Sequence, residues 1–175
     1  MTFYQAVAKA MLKILFFVGI FASSVFSCPS GWKSYQGQCY QFNTNTRLTW
    51  LDAAAECAKT GSHLVYIDSS DEDRFVVNNL KPLVDESNGR DYLTSVWTGG
   101  ADDQVEGSWV WYGNDQPILE YTNWYPGQPD SGSGDHDEDC ICLVGNHGYL
   151  WQDHKCTEKM YWVCEVTDST TGVVG

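Results

Sequence analysis

Positive charge is scarce in this chain. Ten lysines and arginines stand against 23 aspartates and glutamates, for a formal charge of −13. A surface of that sign repels phosphate backbones and anionic headgroups, which argues against nucleic acid and acidic membranes as partners. No long apolar run follows residue 27, so no membrane span is expected. Catalytic signatures are also missing. There is no His-Glu-x-x-His and no nucleophile elbow, and His63, His136, His147 and His154 are scattered. An enzyme is therefore not expected. The sequence has no Asn-x-Ser/Thr, so no N-linked glycan is expected. Neither an internal repeat nor a linker divides the chain, and its length suits one domain with a real core.

The opening residues form a targeting pattern. Lys9 and Lys13 give a positive flank, Ile14 to Ala22 is apolar, and Val25 and Ser27 suit the small-residue positions of a cleavage site before Cys28. This reads as a secretory signal. A signal anchor or a buried helix is the alternative, but the run is short against the roughly 20 residues of a span. The expected organisation is residues 1–27 as signal, 28–166 as the domain and 167–175 as a polar tail, with extracellular localisation. Removing the signal takes away two lysines and no acids, so the charge moves from −13 to about −15.

All seven cysteines follow the signal. In a secreted chain that implies disulfides, and an odd number leaves one thiol over. The simplest pairing closes Cys28–Cys39 as a short hairpin and ties Cys57 to Cys164. Either Cys140 or Cys142 then pairs with Cys156. A zinc site from Cys140, Cys142 and histidines is conceivable, but disulfides should consume those thiols.

Local patterns give an α+β unit, two helices beside antiparallel strands. Aromatic residues alternate from Cys28 to Phe42 as in a hairpin. Thr49 caps a helix, with Asp52 three residues on. Trp50, Ala54, Cys57 and Ala58 follow helical spacing up to Gly61. His63 to Ile67 is a short strand. Ser70 with Asp73 repeats the capping pattern for a second helix carrying Phe75, Val76, Asn79, Leu80 and Leu83, which stops near Lys81 before Pro82. Strands are expected around Trp97 to Gly100, and over Trp109–Tyr112, Ile141–Val144, Leu150–Gln152 and Tyr161–Glu165. Between them, residues 113–139 are rich in Gly, Pro, Asp, Ser and Asn. A loop that long inside a compact domain is functional or disordered.

Three short segments carry the chemistry: Gln128-Pro129-Asp130, Glu138-Asp139-Cys140 and Trp151-Gln152-Asp153. Hard cations such as calcium take six to eight oxygen ligands. Asp130, Glu138 and Asp153 offer three carboxylates, while Gln128 and Gln152 add neutral amide oxygens. A sugar with two adjacent hydroxyls needs acids to accept from it and amides to donate to it, and this set supplies both. Each segment alone has a plainer reading: Gln-Pro-Asp as a turn, the acids as solvated loop, Trp151 as core.

Together these features resemble the C-type lectin-like domain, over essentially all of Cys28 to Val166. The resemblance rests on the cysteine frame with Trp97-Thr98-Gly99-Gly100, Glu106-Gly107-Ser108-Trp109, Tyr121-Thr122-Asn123-Trp124 and Trp162-Val163-Cys164-Glu165. Tyr-Thr-Asn-Trp, Pro-Gly-Gln-Pro-Asp and Tyr-Leu-Trp look most like secreted perlucin-type lectins. The resemblance implies two helices flanking antiparallel sheets, stapled by disulfides, with a long calcium-binding loop. It implies Cys140–Cys156 as the core pair and Cys142 as the odd cysteine. It also implies Gln128, Asp130, Glu138, Gln152 and Asp153 as ligands of one Ca2+ and contacts of the sugar, with a cis peptide at Pro129. Gln152 departs from the family, where Asn is usual, and is longer by a methylene. The amide-before, acid-after order around Pro129 implies galactose-type preference. No Trp follows the motif for the sugar to stack on; Tyr149, His136 or Trp151 would have to serve. Asp102, Glu106 and Asp139 align with an auxiliary metal site, although Ser131 stands where an Asp would help.

The fold is not itself a function. The first reading is a calcium-dependent glycan-binding lectin acting in innate recognition of microbial surfaces. An acidic matrix or biomineral protein, or a calcium-independent protein binder, are the alternatives. Cys142 has three fates: a buried thiol, a shuffled pair, or a bridge between chains. A homo-oligomer, linked through Cys142 or non-covalent, is expected because linking weak sites raises avidity.

Overall fold

The computed structural model describes residues 27–84, 91–132 and 137–167. The expected signal segment apart from Ser27, the expected tail beyond Thr167, and His136 lie outside the described residues.

The chain runs β1 (Lys33–Tyr35), β2 (Gln38–Leu48), α1 (Trp50–Ala58), β3 (His63–Leu64), α2 (Ser70–Leu80), α3 (Asp91–Thr94), β4 (Ser95–Ala101), β5 (Val110–Trp111), β6 (Gln116–Pro117), β7 (Cys140–Val144), a 3-10 turn (Gly145–His147), β8 (Leu150–His154) and β9 (Met160–Thr167). The sheet order is β1-β2-β9-β4-β5-β6, with β3 on β9 and β7 between β4 and β8. This is the expected α+β arrangement, with a short third helix α3 and a two-residue strand β6 added, and with one ladder of unexpected sense. The β4–β9 ladder is parallel, pairing Val96 with Tyr161 and Trp97 with Trp162. Its two strands are more than 50 residues apart, so no hairpin signal could reveal it.

Helix α1 starts as its sequence reads. The Thr49 hydroxyl accepts from the Asp52 N–H, satisfying a first-turn donor. Its buried stripe is Trp50, Ala53 and Cys57, whereas Ala58 is exposed. Helix α2 starts one residue earlier than expected. Ser69, not Ser70, caps it by accepting from the Glu72 N–H at 3.2 Å. Asp73 is thereby released from the cap and buried. It accepts from Trp151 Nε1 and from Asn123 Nδ2, each at 3.1 Å. Leu83 falls beyond the helix and is half exposed. The strand expected over His63–Ile67 keeps only two residues of ladder, although Val65 and Ile67 are fully buried.

Two apolar clusters fill the interior. One gathers Tyr40, Ile67, Leu80, Ile141, Trp151 and neighbours. The other gathers Trp50, Trp97, Met160 and the half-cystines Cys57, Cys140 and Cys164. Gly99 and Gly100 let segments approach closely. A Cβ on Gly99 would stand 2.9 Å from Leu64 O, and one on Gly100 2.4 Å from Ile141 Cδ1.

The disulfides are Cys28–Cys39, Cys57–Cys164 and Cys140–Cys156. The second binds α1 to β9 across 107 residues, the kind of long closure that most restricts an unfolded chain. Cys142 stands outside these pairs with 0% exposure, on β7 between β4 and β8. Of the three fates expected for Cys142, this burial favours the buried thiol over a bridge between chains. Among the described residues, no helix is long and apolar enough to cross a membrane.

Candidate functional site

The site is built on strand β8, where alternation divides the labour. Trp151 and Asp153 point inward and are buried, while Leu150, Gln152 and His154 are half-buried. Trp151 is wedged among aromatic rings, with Trp111 at 6.0 Å, Tyr121 at 5.7 Å and Trp124 at 5.8 Å between centroids. Its indole N–H goes to Asp73.

The same strand holds the long loop. Trp151 N–H donates to Asn123 O at 2.9 Å, and Tyr125 N–H donates to Trp151 O at 2.8 Å. Tyr125 O then accepts from Gln128 N–H at 2.9 Å. Tyr121-Thr122-Asn123-Trp124 is thus the segment that docks the loop onto the core. The peptide bond between Gln128 and Pro129 is cis. Beyond it, the Asp153 carboxylate accepts from Asp130 N–H at 2.9 Å and Ser131 N–H at 2.7 Å. Asp130 Oδ1 accepts from Gly132 N–H at 3.2 Å. Gly132, at φ +60°, lies against Glu138, where a Cβ would come within 2.8 Å of Cγ.

The result is a cluster of carboxylates. Ligand oxygens of Asp130, Glu138 and Asp153 all lie within 4.8 Å of one another, the first exposed, the second half-buried and the third buried. Burial, then the charges of Asp153 and Asp130, hold the Glu138 carboxyl above its ordinary range, while Lys155 opposes this. Burial also raises Asp153, against the pull of its backbone donors, and Asp130 adds to the rise. Two residues before Asp130, across the cis peptide, Gln128 Oε1 is buried without a hydrogen-bond partner. A buried amide oxygen with no donor costs free energy unless something electropositive faces it. Hard oxygen donors, repelling charges and an orphaned acceptor fit a hard divalent cation.

Gln152 is held differently. Its Nε2 lies 2.5 Å from His147 Nδ1. The His147 ring stacks on Tyr125 with centroids 4.4 Å apart.

The residues aligned with an auxiliary site do not converge in the same way. Asp102 is 3% exposed and accepts from Gly107 N–H at 2.7 Å, while its Oδ1 is buried with no hydrogen-bond partner. Burial, then Glu106, Asp139 and Asp153, push its carboxyl up to about 6. Glu106 accepts from the Ser131 hydroxyl. Among the described residues, the carboxylate triad Asp130, Glu138 and Asp153 is the one set whose oxygens gather. Two of the aromatics considered for sugar stacking, Tyr149 and Trp151, have 0% exposure and can present no face to a ligand.

Sequence reasoning missed three groups, two that support this site and one apart from it. Asp73 was assigned to a cap, and the histidines were read as scattered. The third is Glu165, 2% exposed on β9, whose carboxylate accepts from Tyr66 N–H and is pushed up to about 8 by burial and by Glu72 and Asp68. Nearby, Glu72 accepts from the Tyr40 hydroxyl at 2.7 Å. A cleft of about 470 Å³ opens beside Tyr66, Asp68 and Glu165 and shares no residue with the carboxylate triad.

The family model described as the lectin C-type domain matches residues 46–166. A perlucin-like protein of Mytilus galloprovincialis is 36% identical over 139 residues, covering 79% of this chain and 82% of that one. The carbohydrate-recognition domain of the mouse scavenger receptor C-type lectin superposes with a TM-score of 0.67 at 32% identity, covering 81% of this chain and 98% of that one. A calcium-independent type II antifreeze protein superposes with a TM-score of 0.64 at 25% identity, over 81% and 95%. The matched domain is a binding module and not an enzyme. The chain belongs to the C-type lectin domain family, as a member of perlucin type.

Proposed function

We propose that this protein is a secreted, calcium-dependent lectin with galactose-type preference, acting on glycans such as those of microbial surfaces. The observation that carries the reading is the convergence of Asp130, Glu138 and Asp153, with the buried, unpartnered Oε1 of Gln128 two residues before Asp130. Gln128, Asp130, Glu138, Gln152 and Asp153 would hold the ion. A bound calcium supplies coordination positions that two vicinal sugar hydroxyls can fill. The chain does the rest. Asp130 and Glu138 accept the hydroxyl protons, while the amides of Gln128 and Gln152 donate to the hydroxyl oxygens. Asp153 works from beneath, fixing the loop through the N–H groups of Asp130 and Ser131. The amide lies before Pro129 and the acid after it, an order that supports galactose over mannose. Secretion is supported by the N-terminal pattern and by three disulfides, which persist in oxidising compartments.

The test is retention on immobilised galactose in calcium, with release by EDTA and loss of retention in Asp130→Ala. Retention that survives EDTA would overturn calcium dependence. The likeness to a calcium-independent antifreeze protein favours a second reading, a calcium-independent binder on the same scaffold. That reading requires titration calorimetry to detect no calcium binding.

A further inference from the structure

We infer that His147 is a positioning residue that fixes which end of the Gln152 amide is presented to the site. Glutamine here has one more rotatable bond than the asparagine usual in the family, and the two ends of its amide are nearly the same shape. Ordering such a side chain costs conformational entropy. A wrong flip would also put N–H groups where an oxygen is needed. The structure holds a device against both. Gln152 Nε2 meets His147 Nδ1 at 2.5 Å. An imidazole accepts at Nδ1 when its proton sits on Nε2, and an amide nitrogen is a donor only. The flipped amide would place two acceptors against each other. With the ring proton on Nε2, the contact therefore selects one orientation. One N–H goes to His147, the second N–H remains for a ligand, and the carbonyl oxygen remains for a cation.

His147 is itself braced. It closes the 3-10 turn Gly145–His147, which ends at Gly148 with φ +72°. Its ring lies on Tyr125 at 4.4 Å and 19° between planes. Tyr125 is bonded on one side to Trp151, next to Gln152, and on the other to Gln128. Tyr125 and His147 thus join the two amide-bearing segments, so that Gln128 and Gln152 are set against one another through a single stacked pair. The orientation of the amide stands on these contacts alone. Its role toward calcium rests on the reading given under Proposed function.

Two experiments test this. The first needs no calcium. Nitrogen-15 NMR of the protein in EDTA is expected to show His147 with its proton on Nε2 and a scalar coupling across the hydrogen bond to the Gln152 amide nitrogen. A proton on Nδ1 would overturn the inference. The second is calcium calorimetry on wild type, His147→Phe and His147→Asn. Phenylalanine keeps the stack on Tyr125 and removes the acceptor; asparagine keeps an acceptor near the Nδ1 position and removes the stack. Loss of a group that orients a metal ligand weakens affinity by 10-fold or more, so about tenfold weaker calcium binding is expected for Phe and near wild-type binding for Asn. The reverse ranking would make His147 a packing brace and overturn the role. Melting curves in EDTA should agree for all three proteins within a few degrees, separating folding from ligand orientation. A wild type that binds no calcium would overturn the lectin reading and this role together. Equal affinity in all three, with calcium bound, would overturn this role alone.

Discussion

Replacing Asp130 by Asn should make the calcium-free protein more stable and the calcium-loaded protein less so. The carboxylate oxygens of Asp130, Glu138 and Asp153 lie within 4.8 Å. Asp130 is exposed, so its repulsion by each neighbour takes the value for water, about 1 kcal/mol per pair before screening. Asparagine removes both pairs and keeps an oxygen to accept the Gly132 N–H. A net gain of about 1 kcal/mol in EDTA at low salt follows, shrinking as salt is added. Calcium acts in the opposite direction. For an affinity of about 0.5 mM, ordinary for an extracellular module, 10 mM calcium stabilises the folded state by about 2 kcal/mol, since only that state binds. In a domain of this size that raises Tm by about 6 °C. The variant, short of one charged ligand, should lose most of this rise. Differential scanning fluorimetry in EDTA and in calcium reads both arms, and the two melting curves should change order between the buffers. An equal calcium shift in both proteins, or a variant less stable in EDTA, would refute the assignment of these acids to one cation site.

Four further outcomes are expected. The double variant Gln128→Glu with Asp130→Asn conserves charge but exchanges the amide and the acid around Pro129, and should shift competition from galactose toward mannose; an unchanged ranking would locate specificity elsewhere. Sugar should be released as pH falls toward 5, because protons compete with calcium for Asp130, Glu138 and Asp153, and Glu138 and Asp153 already hold protons more tightly than ordinary carboxylates; retention unchanged at pH 4 would argue against carboxylate ligation. In EDTA, Glu165 should make stability fall as pH rises. Its folded value of about 8 lies above the ordinary 4.5, so its contribution is complete below pH 4.5 and lost through pH 8, by up to about 5 kcal/mol; Glu165→Gln, which stays neutral, should flatten that part of the profile measured by urea denaturation. Asp73→Ala should destabilise by about 3 kcal/mol, because it strands the buried indole N–H of Trp151 and the amide of Asn123; an unchanged urea midpoint would mean that water replaces the carboxylate.

What the sequence disclosed and what it hid divide along the range of the interactions. Thr49 with Asp52 is a contact between neighbours, and it stands in the structure as it reads in the sequence. The second helix reads from Ser70 with Asp73, yet the structure caps it with Ser69, three residues before Glu72. No local rule separates the two serines. The choice is made 50 and 78 residues away, by Asn123 and Trp151, which need Asp73 as a buried acceptor. The parallel β4–β9 ladder is equally non-local. The donor residues were legible by type, as oxygen-rich side chains around Pro129, Cys140 and Trp151. Their convergence was expected only through the family resemblance, since locally it depends on the docking of Tyr121–Tyr125 along β8. His147 carried no signal because a single histidine in a Gly-Asn-His-Gly turn states nothing about what its ring will face.

The arrangement of β8 explains how a surface loop can hold a fixed geometry. Loops that bind ligands are the less stable parts of most domains. Here the loop is tied to a strand whose second residue, Trp151, is fully buried and bonded to Asp73 on α2. The residues immediately after Trp151 are the donors, Gln152 and Asp153, and Asp153 reaches back to the backbone of Asp130 and Ser131. The chain leading to Gln128 is bonded to Trp151 from the other side through Tyr125. Position is therefore transmitted from the core to the site through one residue. Substitutions at Asp73 or Trp151 act on the site without touching it. Those at Asp130 or Glu138 change its charge while leaving the core packing as it is.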